Sequence, residues 1–199
     1  MSYVIGIDEV GKGAWAGPLV GATVAAKKDK LWRLLEKGLA DSKKLSPLAR
    51  KKLLPEIYNL AKEIYVEVIE VEVINKLGIA FANKLLFSRL AKKILHIPGS
   101  IFVDGRITFE CPREYQSVVD GDSQIPVIMA ASIVAKVYRD TLMEKLAKDF
   151  PSYGFHLHKG YGTKLHKEAL SKYGPSPLHR LNFRPIKELS KSEKIIRIT

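Results

Sequence analysis

The sequence predicts a mixed α/β fold, and two kinds of pattern carry this prediction. Short apolar or alternating segments predict four strands, while longer segments with helical spacing predict three helices. Along the chain these segments follow the order β, β, α, β, α, β, α. The length of 199 residues suits one hydrophobic core. We therefore expect a core over residues 1–150 and a C-terminal extension over residues 151–199, packed together as a single structural unit.

The first part of the chain predicts three strands and one helix. Tyr3–Asp8 is apolar and rich in β-formers, and Pro18–Ala26 predicts its neighbour across a glycine-rich turn. Pro47–Lys62 has helical spacing, with Ser46 as the N-cap and a proline at the first helical position. Ile64–Ile74 alternates strictly and predicts a half-exposed strand.

The second part predicts two long helices around a short strand. Asn75–Ile94 is amphipathic, Ser100–Asp104 is a short apolar strand, and Ser123–Phe150 reads as a helix with an apolar first half and a charged second half. After Phe150 the sequence turns to His, Gly, Pro and Lys, so we expect short helices at most.

The charge distribution indicates a polyanionic partner. The chain carries 33 Lys and Arg against 21 Asp and Glu, for a net charge of +12. Residues 145–199 carry +8 and residues 27–63 carry +6, whereas residues 105–144 sum to −2. Two basic regions beside an acidic one suit a nucleic acid, with the carboxylates reserved for another role. A solvated lysine-rich surface, as in heat-tolerant proteins, explains the charge alone equally well.

Several protein classes are excluded by the composition. At 46% hydrophobic and 27% charged residues, the chain is neither disordered nor fibrous. It contains no apolar run of the roughly 18 residues that span a bilayer. Its N-terminus has no basic segment or cleavage site of a signal peptide. Cys111 is the single cysteine, which excludes an internal disulfide. We expect a soluble cytoplasmic protein with no membrane partner.

Acidic residues at two predicted strand ends suggest a metal site. Asp8, followed by Glu9, and Asp104 each end an apolar strand and precede a glycine-containing turn. Taken alone, Asp8 and Glu9 are explained more simply as solvated residues of a turn. If both strands share one sheet, however, the carboxylates converge and repel unless a divalent cation neutralises them. Asp122 begins the last long helix and is a third candidate, although an N-cap role explains it too.

The residues alone do not decide which further acids belong to this site. Asp120 and Asp140 cannot be ranked against Asp122 from the residues alone. Carboxylate ligands without cysteine favour Mg²⁺ or Mn²⁺. Several acids on a basic protein suggest two-metal phosphoryl chemistry on nucleic acid. Gly6–Lys12 also matches the start of a phosphate-binding P-loop, but Gly13 replaces the required hydroxyl residue, and acids inside the loop would repel phosphate.

Three further motifs have a functional and a plainer interpretation. Lys43 and Lys44, in DSKKLS, form either a phosphate clamp or a solvated loop. Tyr161, between glycines and basic residues, is either a stacking ring or an ordinary half-buried tyrosine. Four histidines match no standard zinc spacing, so we expect structural or nucleic-acid contacts from them: His156, His158, His166 and His179.

Taken together, these residues resemble type 2 ribonuclease H, or ribonuclease HII. Six stretches match in the family's order and span residues 6–183: GIDEVGKGAWAGPLV, DSKKLS, FVDG, GDSQIPVIMAASIVAKVYRD, HKGYGTKLHKEAL and YGPSPLHRLNF. The resemblance implies an RNase H-like fold, with a central five-stranded mixed sheet flanked by helices and a C-terminal helical extension. The type 3 relative usually carries an extra N-terminal domain, and because the first strand starts at residue 3 we expect the type 2 form.

The resemblance also implies the site and the substrate. The family's four acids fall on residues that would be both catalytic and metal-binding: Asp8, Glu9, Asp104 and Asp122. The cofactor would be Mg²⁺ or Mn²⁺ in a two-metal mechanism. The substrates would be RNA–DNA hybrids and DNA duplexes containing ribonucleotides, cut by a monomer on the 5′ side of a ribonucleotide to leave a 3′-hydroxyl and a 5′-phosphate.

The substrate contacts follow from the same resemblance. The family's GRG turn, whose backbone recognises the ribose 2′-hydroxyl, falls on Gly11, Lys12 and Gly13, with lysine where arginine is usual. Tyr161 would stack on the sugar next to the ribonucleotide. The lysine pair in DSKKLS would contact phosphate. His179 and Arg180 lie in another family motif, without an assigned role.

Overall fold

The computed structural model describes residues 3–188. Five strands are present within these residues: β1 (Tyr3–Val10), β2 (Leu19–Lys27), β3 (Ala61–Ile69), β4 (Gly99–Asp104) and β5 (Gln116–Val118). The helices include α1 (Lys28–Glu36), α2 (Pro47–Leu60), α3 (Val71–Leu77), α4 (Ile79–Lys93), α5 (Gly121–Gln124), α6 (Pro126–Asp149), α7 (Phe155–His158) and α8 (Lys164–Tyr173), with a 3₁₀ turn at Pro151–Tyr153. The predicted α/β class is confirmed.

The strands form one mixed sheet in the order β3-β2-β1-β4-β5. Strand β1 lies at its centre, antiparallel to β2 and parallel to β4. The middle of β1 is buried, and at Gly6 a Cβ would lie 2.3 Å from the carbonyl oxygen of Val127 in α6. Glycine is therefore required where the helix backbone meets the strand. This close approach places the first turns of α6 directly on the central strand.

The described residues form two compact units. Unit 1 comprises residues 3–10, 20–68 and 83–138, and unit 2 comprises residues 11–19, 69–82 and 139–188. In unit 1, apolar residues of β2, α1, α2 and the first half of α6 form a core. Unit 2 has a core of its own, with the members Ala16, Met143, Ala147, Tyr153, Phe155, Ala169, Leu170 and Ile186. The boundary at residue 150 stays a prediction, and residues 189–199 of the expected extension lie outside the described residues.

The prediction of one strand over Ile64–Ile74 is wrong for its last five residues. Strand β3 ends at Ile69, and α3 begins at Val71. The alternating pattern continues through VEVI, but Val71 and Ile74 are three residues apart and share the buried face of a helix. The predicted helix Asn75–Ile94 is also interrupted, because Gly78 has φ 80° and ends α3 before α4 begins.

The predicted helix Ser123–Phe150 is two helices. Helix α5 ends at Gln124, Ile125 is extended with φ −110° and ψ 111°, and α6 begins at Pro126. A proline disfavours helical backbone at the residue before it, which explains the break. Asp122 therefore lies in the short helix that precedes α6.

Two elements were not predicted from the residues. Helix α1 has a basic and apolar sequence that directly continues β2, and its N-cap residue makes no side-chain capping bond. Strand β5 has three residues and pairs with β4 alone. The other predicted elements are present with ends shifted by one or two residues, and Ser46 caps α2 as expected by accepting a hydrogen bond from the Ala49 N–H.

Within residues 3–188, none of the helices combines the length and apolar character that crossing a bilayer requires.

Candidate active site

The parallel pairing of β1 and β4 brings the strand-end acids together. Ile7 pairs with Val103, so Asp8 and Asp104 follow at the same level of the sheet. One carboxylate oxygen from each of Asp8, Glu9 and Asp104 lies within 4.8 Å of the others. The predicted convergence of the two strand ends is therefore present in unit 1. Three carboxylates at this spacing are a suitable donor set for a hard divalent cation.

Asp8 is the most buried member, with 4% of its surface exposed. Burial raises the pKa of its carboxyl well above the ordinary value, and the nearby charges of Glu9 and Asp104 raise it further. Opposing this, the Ser132 hydroxyl donates a hydrogen bond to Asp8, and the Glu9 N–H donates one to its Oδ1 over 2.7 Å. A buried carboxylate that is repelled by two others needs positive charge, and a divalent cation would supply it.

Asp122 lies beside this group of three acids. Its N–H donates to Oδ1 of Asp104 over 3.2 Å, and its own carboxylate is buried. Oδ2 of Asp122 lies 2.8 Å from Nζ of Lys43. Burial raises the pKa of Asp104, while the N–H groups of Asp122 and Gly121 lower it. Asp122 is therefore hydrogen-bonded to Asp104 through its N–H and forms an ion pair with Lys43 of the predicted phosphate clamp.

The other two candidate acids differ from these four. Asp120 is exposed and takes a left-handed conformation with φ 53°, directly before α5. Asp140 is half-buried in α6. Among the described residues, neither belongs to the group of acids whose oxygens lie within one coordination sphere.

The loop that carries Lys43 and Lys44 is held by hydrogen bonds to buried side chains, while both lysine side chains are exposed. Nη1 of Arg50 donates to the carbonyls of Ser42 and Leu45 over 2.7 and 2.6 Å. The Ser42 and Ser132 hydroxyls are hydrogen-bonded at 2.8 Å. Since Ser132 donates to Asp8, Ser42 must donate to Ser132. The loop and the buried aspartate are therefore joined by a chain of hydrogen bonds in unit 1.

The glycine turn and Tyr161 belong to unit 2. Gly11 has φ 90°, and the Ala14 N–H donates to its carbonyl over 3.2 Å, so Lys12 and Gly13 form the exposed tip of a tight turn. Tyr161 is half-buried, and its ring centroid lies 5.4 Å from the guanidinium carbon of Arg139.

Three of the four histidines form a buried cluster inside unit 2, in which His158 stacks on His166 and His166 is hydrogen-bonded to His179. His158, His166 and His179 are buried, whereas His156 is exposed. The Ser176 N–H donates to Nδ1 of His179 over 2.8 Å, so the proton of that ring is on Nε2. The Nε2 atoms of His179 and His166 are 3.0 Å apart, so His166 accepts there, and its Nδ1–H donates to the Tyr161 carbonyl over 3.0 Å. Both rings are therefore neutral and hold the backbone of Tyr161.

With this geometry established, comparison with known proteins identifies the family. The family model for ribonuclease HII matches residues 5–186. The chain belongs to the ribonuclease HII family. A ribonuclease HII from Coxiella burnetii is 39% identical over 186 residues, which cover 94% of this chain and 90% of that one. The prediction of a type 2 ribonuclease H, a hydrolase that acts as an endoribonuclease, is confirmed.

Solved structures of ribonucleases H share the fold. Ribonuclease H2 from Pyrococcus horikoshii has a TM-score of 0.81 at 24% identity, covering 96% of this chain and 99% of that one. Bst-RNase HIII in complex with Mn²⁺ has a TM-score of 0.80 at 22% identity, covering 98% of this chain and 71% of that one. The predicted RNase H-like fold is confirmed.

Sequence reasoning missed several buried polar residues that form hydrogen bonds with the predicted site residues or with the segments that carry them. Ser132 was a single hydroxyl within an apolar helix, a weak sign of a buried hydrogen bond. Arg139 lies in a charged stretch of α6 that resembles a solvated helix face. His179 and Arg180 were noticed only as part of a motif, yet both are fully buried.

Proposed function

We propose that the chain is a divalent-metal-dependent endonuclease that hydrolyses the RNA strand of RNA–DNA hybrids. We further propose that it cuts on the 5′ side of single ribonucleotides in duplex DNA, leaving a 3′-hydroxyl and a 5′-phosphate. The observation that carries the proposal is the group of Asp8, Glu9 and Asp104 at adjacent strand ends in a ribonuclease HII chain. All four acids belong to one polypeptide, and we propose that it acts as a monomer in the cytoplasm.

The four acids would hold Mg²⁺ or Mn²⁺. Their oxygens are hard donors, and the raised pKa of Asp8 reflects burial beside two other negative charges. When bound, such cations supply an activated water for attack on phosphorus and stabilise the leaving 3′-oxygen. Ser132 would orient the Asp8 carboxylate through its hydrogen bond, while the N–H of Asp122 orients that of Asp104.

Phosphate contacts would supply affinity without base preference. Lys43 and Lys44 project from a loop fixed by Arg50, and both side chains are exposed at the protein surface. The Lys43 ammonium would exchange its ion pair with Asp122 for a phosphate. The net charge of +12 strengthens attraction for the polyanion at low salt.

Ribose contacts would supply the specificity. The 2′-hydroxyl is the group that distinguishes RNA from DNA at one nucleotide. The turn at Gly11, Lys12 and Gly13 offers exposed backbone groups to it, because Gly13 has no neighbouring atom within 4 Å of where a Cβ would be. Tyr161 is half-exposed and would stack on the adjacent sugar.

Two rival functions are not favoured. A nuclease for all-DNA duplexes would need no ribose contact, and a non-catalytic basic binding protein would need no acidic cluster. The ribonuclease HII match over residues 5–186 argues against both.

The test is cleavage of a labelled RNA–DNA hybrid with Mg²⁺ or Mn²⁺. We expect endonucleolytic products that disappear in EDTA and in Asp8→Asn, while Asp8→Asn still binds the hybrid. An all-DNA duplex of the same sequence should stay intact. Cleavage of the DNA duplex would favour the DNA nuclease, and hybrid binding without cleavage in either metal would favour the binding protein.

A further inference from the structure

Two arginines of unit 2 are fully buried without a carboxylate among their hydrogen-bond acceptors. Arg139 and Arg180 are each 0% exposed, and every hydrogen bond that their guanidinium groups make within residues 3–188 ends on a main-chain carbonyl. Burial lowers the pKa of both, that of Arg180 to about 9, where the nearby charge of Arg139 also contributes. Burying two cations is costly, so these side chains need an explanation beyond filling space.

Arg180 holds the glycine turn. Its Nη1 donates to the carbonyl of Lys12 over 3.0 Å, while Nε and Nη2 both donate to the carbonyl of Gly17 over 3.0 and 2.8 Å. One planar group thus fixes two carbonyls that lie five residues apart in the chain. A lysine ammonium lacks this fixed fork of donors and could not satisfy both carbonyls in the same geometry.

Arg139 joins the same turn to Tyr161. It donates to the carbonyls of Ala16, Pro18 and Lys159 over 3.1, 3.0 and 2.9 Å. Its guanidinium carbon lies 5.4 Å from the ring centroid of Tyr161. At Gly11, a Cβ would lie 2.2 Å from Nε of Arg139, so the turn begins directly against this side chain.

Main-chain hydrogen bonds also connect the segments that the two guanidinium groups contact. The N–H groups of Trp15 and Ala16 donate to the Gly160 carbonyl over 2.8 and 3.2 Å. The Arg180 N–H donates to the Trp15 carbonyl over 2.8 Å. The segment after the glycine turn is therefore bound on one side to the residue before Tyr161 and on the other to Arg180.

We propose that Arg139 and Arg180 are positioning residues for ribonucleotide recognition, which set the Gly11–Gly13 turn and Tyr161 in one fixed arrangement. This inference rests on the proposed function, in which that turn and Tyr161 contact the ribose. Neither arginine contacts the substrate. Arg180 acts through the carbonyls of Lys12 and Gly17, and Arg139 acts through its carbonyl partners and the Tyr161 ring.

The experiment compares two dissociation constants for each variant by fluorescence anisotropy. The two duplexes have the same sequence, and one contains a single ribonucleotide. All proteins carry Asp8→Asn, which prevents cleavage. The variants are Arg139→Lys and Arg180→Lys, with Tyr161→Ala as the reference for direct loss of a ribose contact. Arg113→Lys is the matched control, because Arg113 also donates to main-chain carbonyls, those of Ile97 and Gly99, at the start of β4.

The parent protein is expected to bind the ribonucleotide duplex about tenfold more tightly than the DNA duplex, as for one well-placed hydrogen bond. Each positioning variant should reduce this ratio towards one, as Tyr161→Ala does, while its affinity for the DNA duplex changes by less than about twofold. Arg113→Lys should retain the full ratio. A role in stability alone would lower the melting temperature and leave the ratio intact.

An unchanged ratio in folded Arg139→Lys and Arg180→Lys overturns the proposal. If circular dichroism shows that neither variant folds, the arginines serve folding itself, and the positioning role is also overturned. A parent protein that binds both duplexes equally contradicts ribose recognition in the proposed function instead. The wild-type cleavage assay separates that failure from a failure of this inference.

Discussion

Nζ of Lys43 lies 2.8 Å from Oδ2 of Asp122, which joins a predicted phosphate contact to a predicted metal ligand. The lysine side chain is 75% exposed, whereas that of Asp122 is 5% exposed. The hydrogen bond to Asp122 raises the pKa of Lys43, so the lysine ammonium stays charged at neutral pH. Lys43 can therefore neutralise the acidic site or turn to a phosphate, but one ammonium cannot fully do both.

This ion pair predicts opposite effects of one substitution on two ligands. Lys43→Ala should strengthen Mn²⁺ binding, because the ammonium no longer competes for the Asp122 carboxylate. It should also weaken duplex binding and lower the slope of log Kd against log salt concentration by about 0.9. Mn²⁺ titration without nucleic acid and salt-dependent anisotropy measure the two effects. Lys44→Ala is the control, expected to lower the salt slope alone. Unchanged or weaker Mn²⁺ binding by Lys43→Ala would contradict the competition.

Asp8→Asn is expected to abolish activity while stabilising the protein in EDTA. The folded-state pKa of Asp8 is raised, so its contribution to stability is lost as pH rises from the unfolded value through the folded value. Asparagine removes this loss. In EDTA at pH 7.5, the melting temperature of the variant should be higher than that of the wild type. Adding Mn²⁺ should raise the melting temperature of the wild type much more than that of the variant.

The matched control for Asp8→Asn is the same substitution at Asp120. That residue is exposed, and its left-handed conformation suits asparagine. Asp120→Asn should retain activity and the stabilisation by Mn²⁺. A loss of both in this control would show that the four acids were ranked incorrectly.

Gly11 and Gly13 should respond differently to alanine. At Gly11 the φ of 90° and the contact with Arg139 make a Cβ unfavourable, so Gly11→Ala should destabilise the protein by about 1–3 kcal/mol. At Gly13 the space around an added Cβ is open, and φ is not positive. Gly13→Ala should therefore fold with a stability change within about 0.5 kcal/mol. Its added methyl group would instead meet the ribose. We expect about tenfold lower kcat/KM on a single-ribonucleotide duplex, and wild-type kinetics would remove Gly13 from the ribose site.

Stability should fall in mild acid because of His166 and His179. Burial lowers the pKa of each ring to about 4, from an ordinary value near 6.5. Between these values the unfolded chain binds protons that the folded protein excludes, so stability decreases as pH falls from about 6.5 to about 4. Each ring contributes a slope of up to about 1.4 kcal/mol per pH unit. Urea unfolding across this range measures the slope.

Variants at two histidines locate the source of this pH dependence. His166→Asn should lower stability at pH 7 and flatten the dependence, since it removes one titrating ring. His156→Gln should leave the dependence unchanged, because His156 is exposed. Equal slopes in wild type and His166→Asn would mean that other groups cause the acid sensitivity.

The sequence predicted those parts of the fold that depend on local pattern. Strands β1 and β4 were recognisable because each is an apolar run followed by an acid and a glycine-containing turn. The pattern failed where two periods coincide, as at Val71, which continues the alternation of β3 and also begins a helix. It failed again at β5, since three residues that pair only with β4 have too little sequence to show a period.

The sequence predicted part of the site, on the condition that the two strands ending in Asp8 and Asp104 share one sheet. The parallel pairing of β1 and β4 meets this condition and brings the two residues together. Asp122 could not be ranked from the residues, because its position depends on a hydrogen bond to Asp104 across a turn. The burial and the partners of Arg139 and Arg180 could not be predicted, because hydrogen bonds from a side chain to main-chain carbonyls leave no pattern in the sequence. The roles of all these residues in catalysis and binding stay predictions.

Cleavage beside a ribonucleotide can be measured by mapping a single cut. An end-labelled DNA duplex that carries a single ribonucleotide is incubated with the wild-type protein and Mg²⁺ or Mn²⁺, beside an EDTA control and an all-DNA control. We expect a single nick on the 5′ side of the ribonucleotide, absent from both controls. A protein that leaves this duplex intact, or that cuts the all-DNA control equally, would overturn the proposed function.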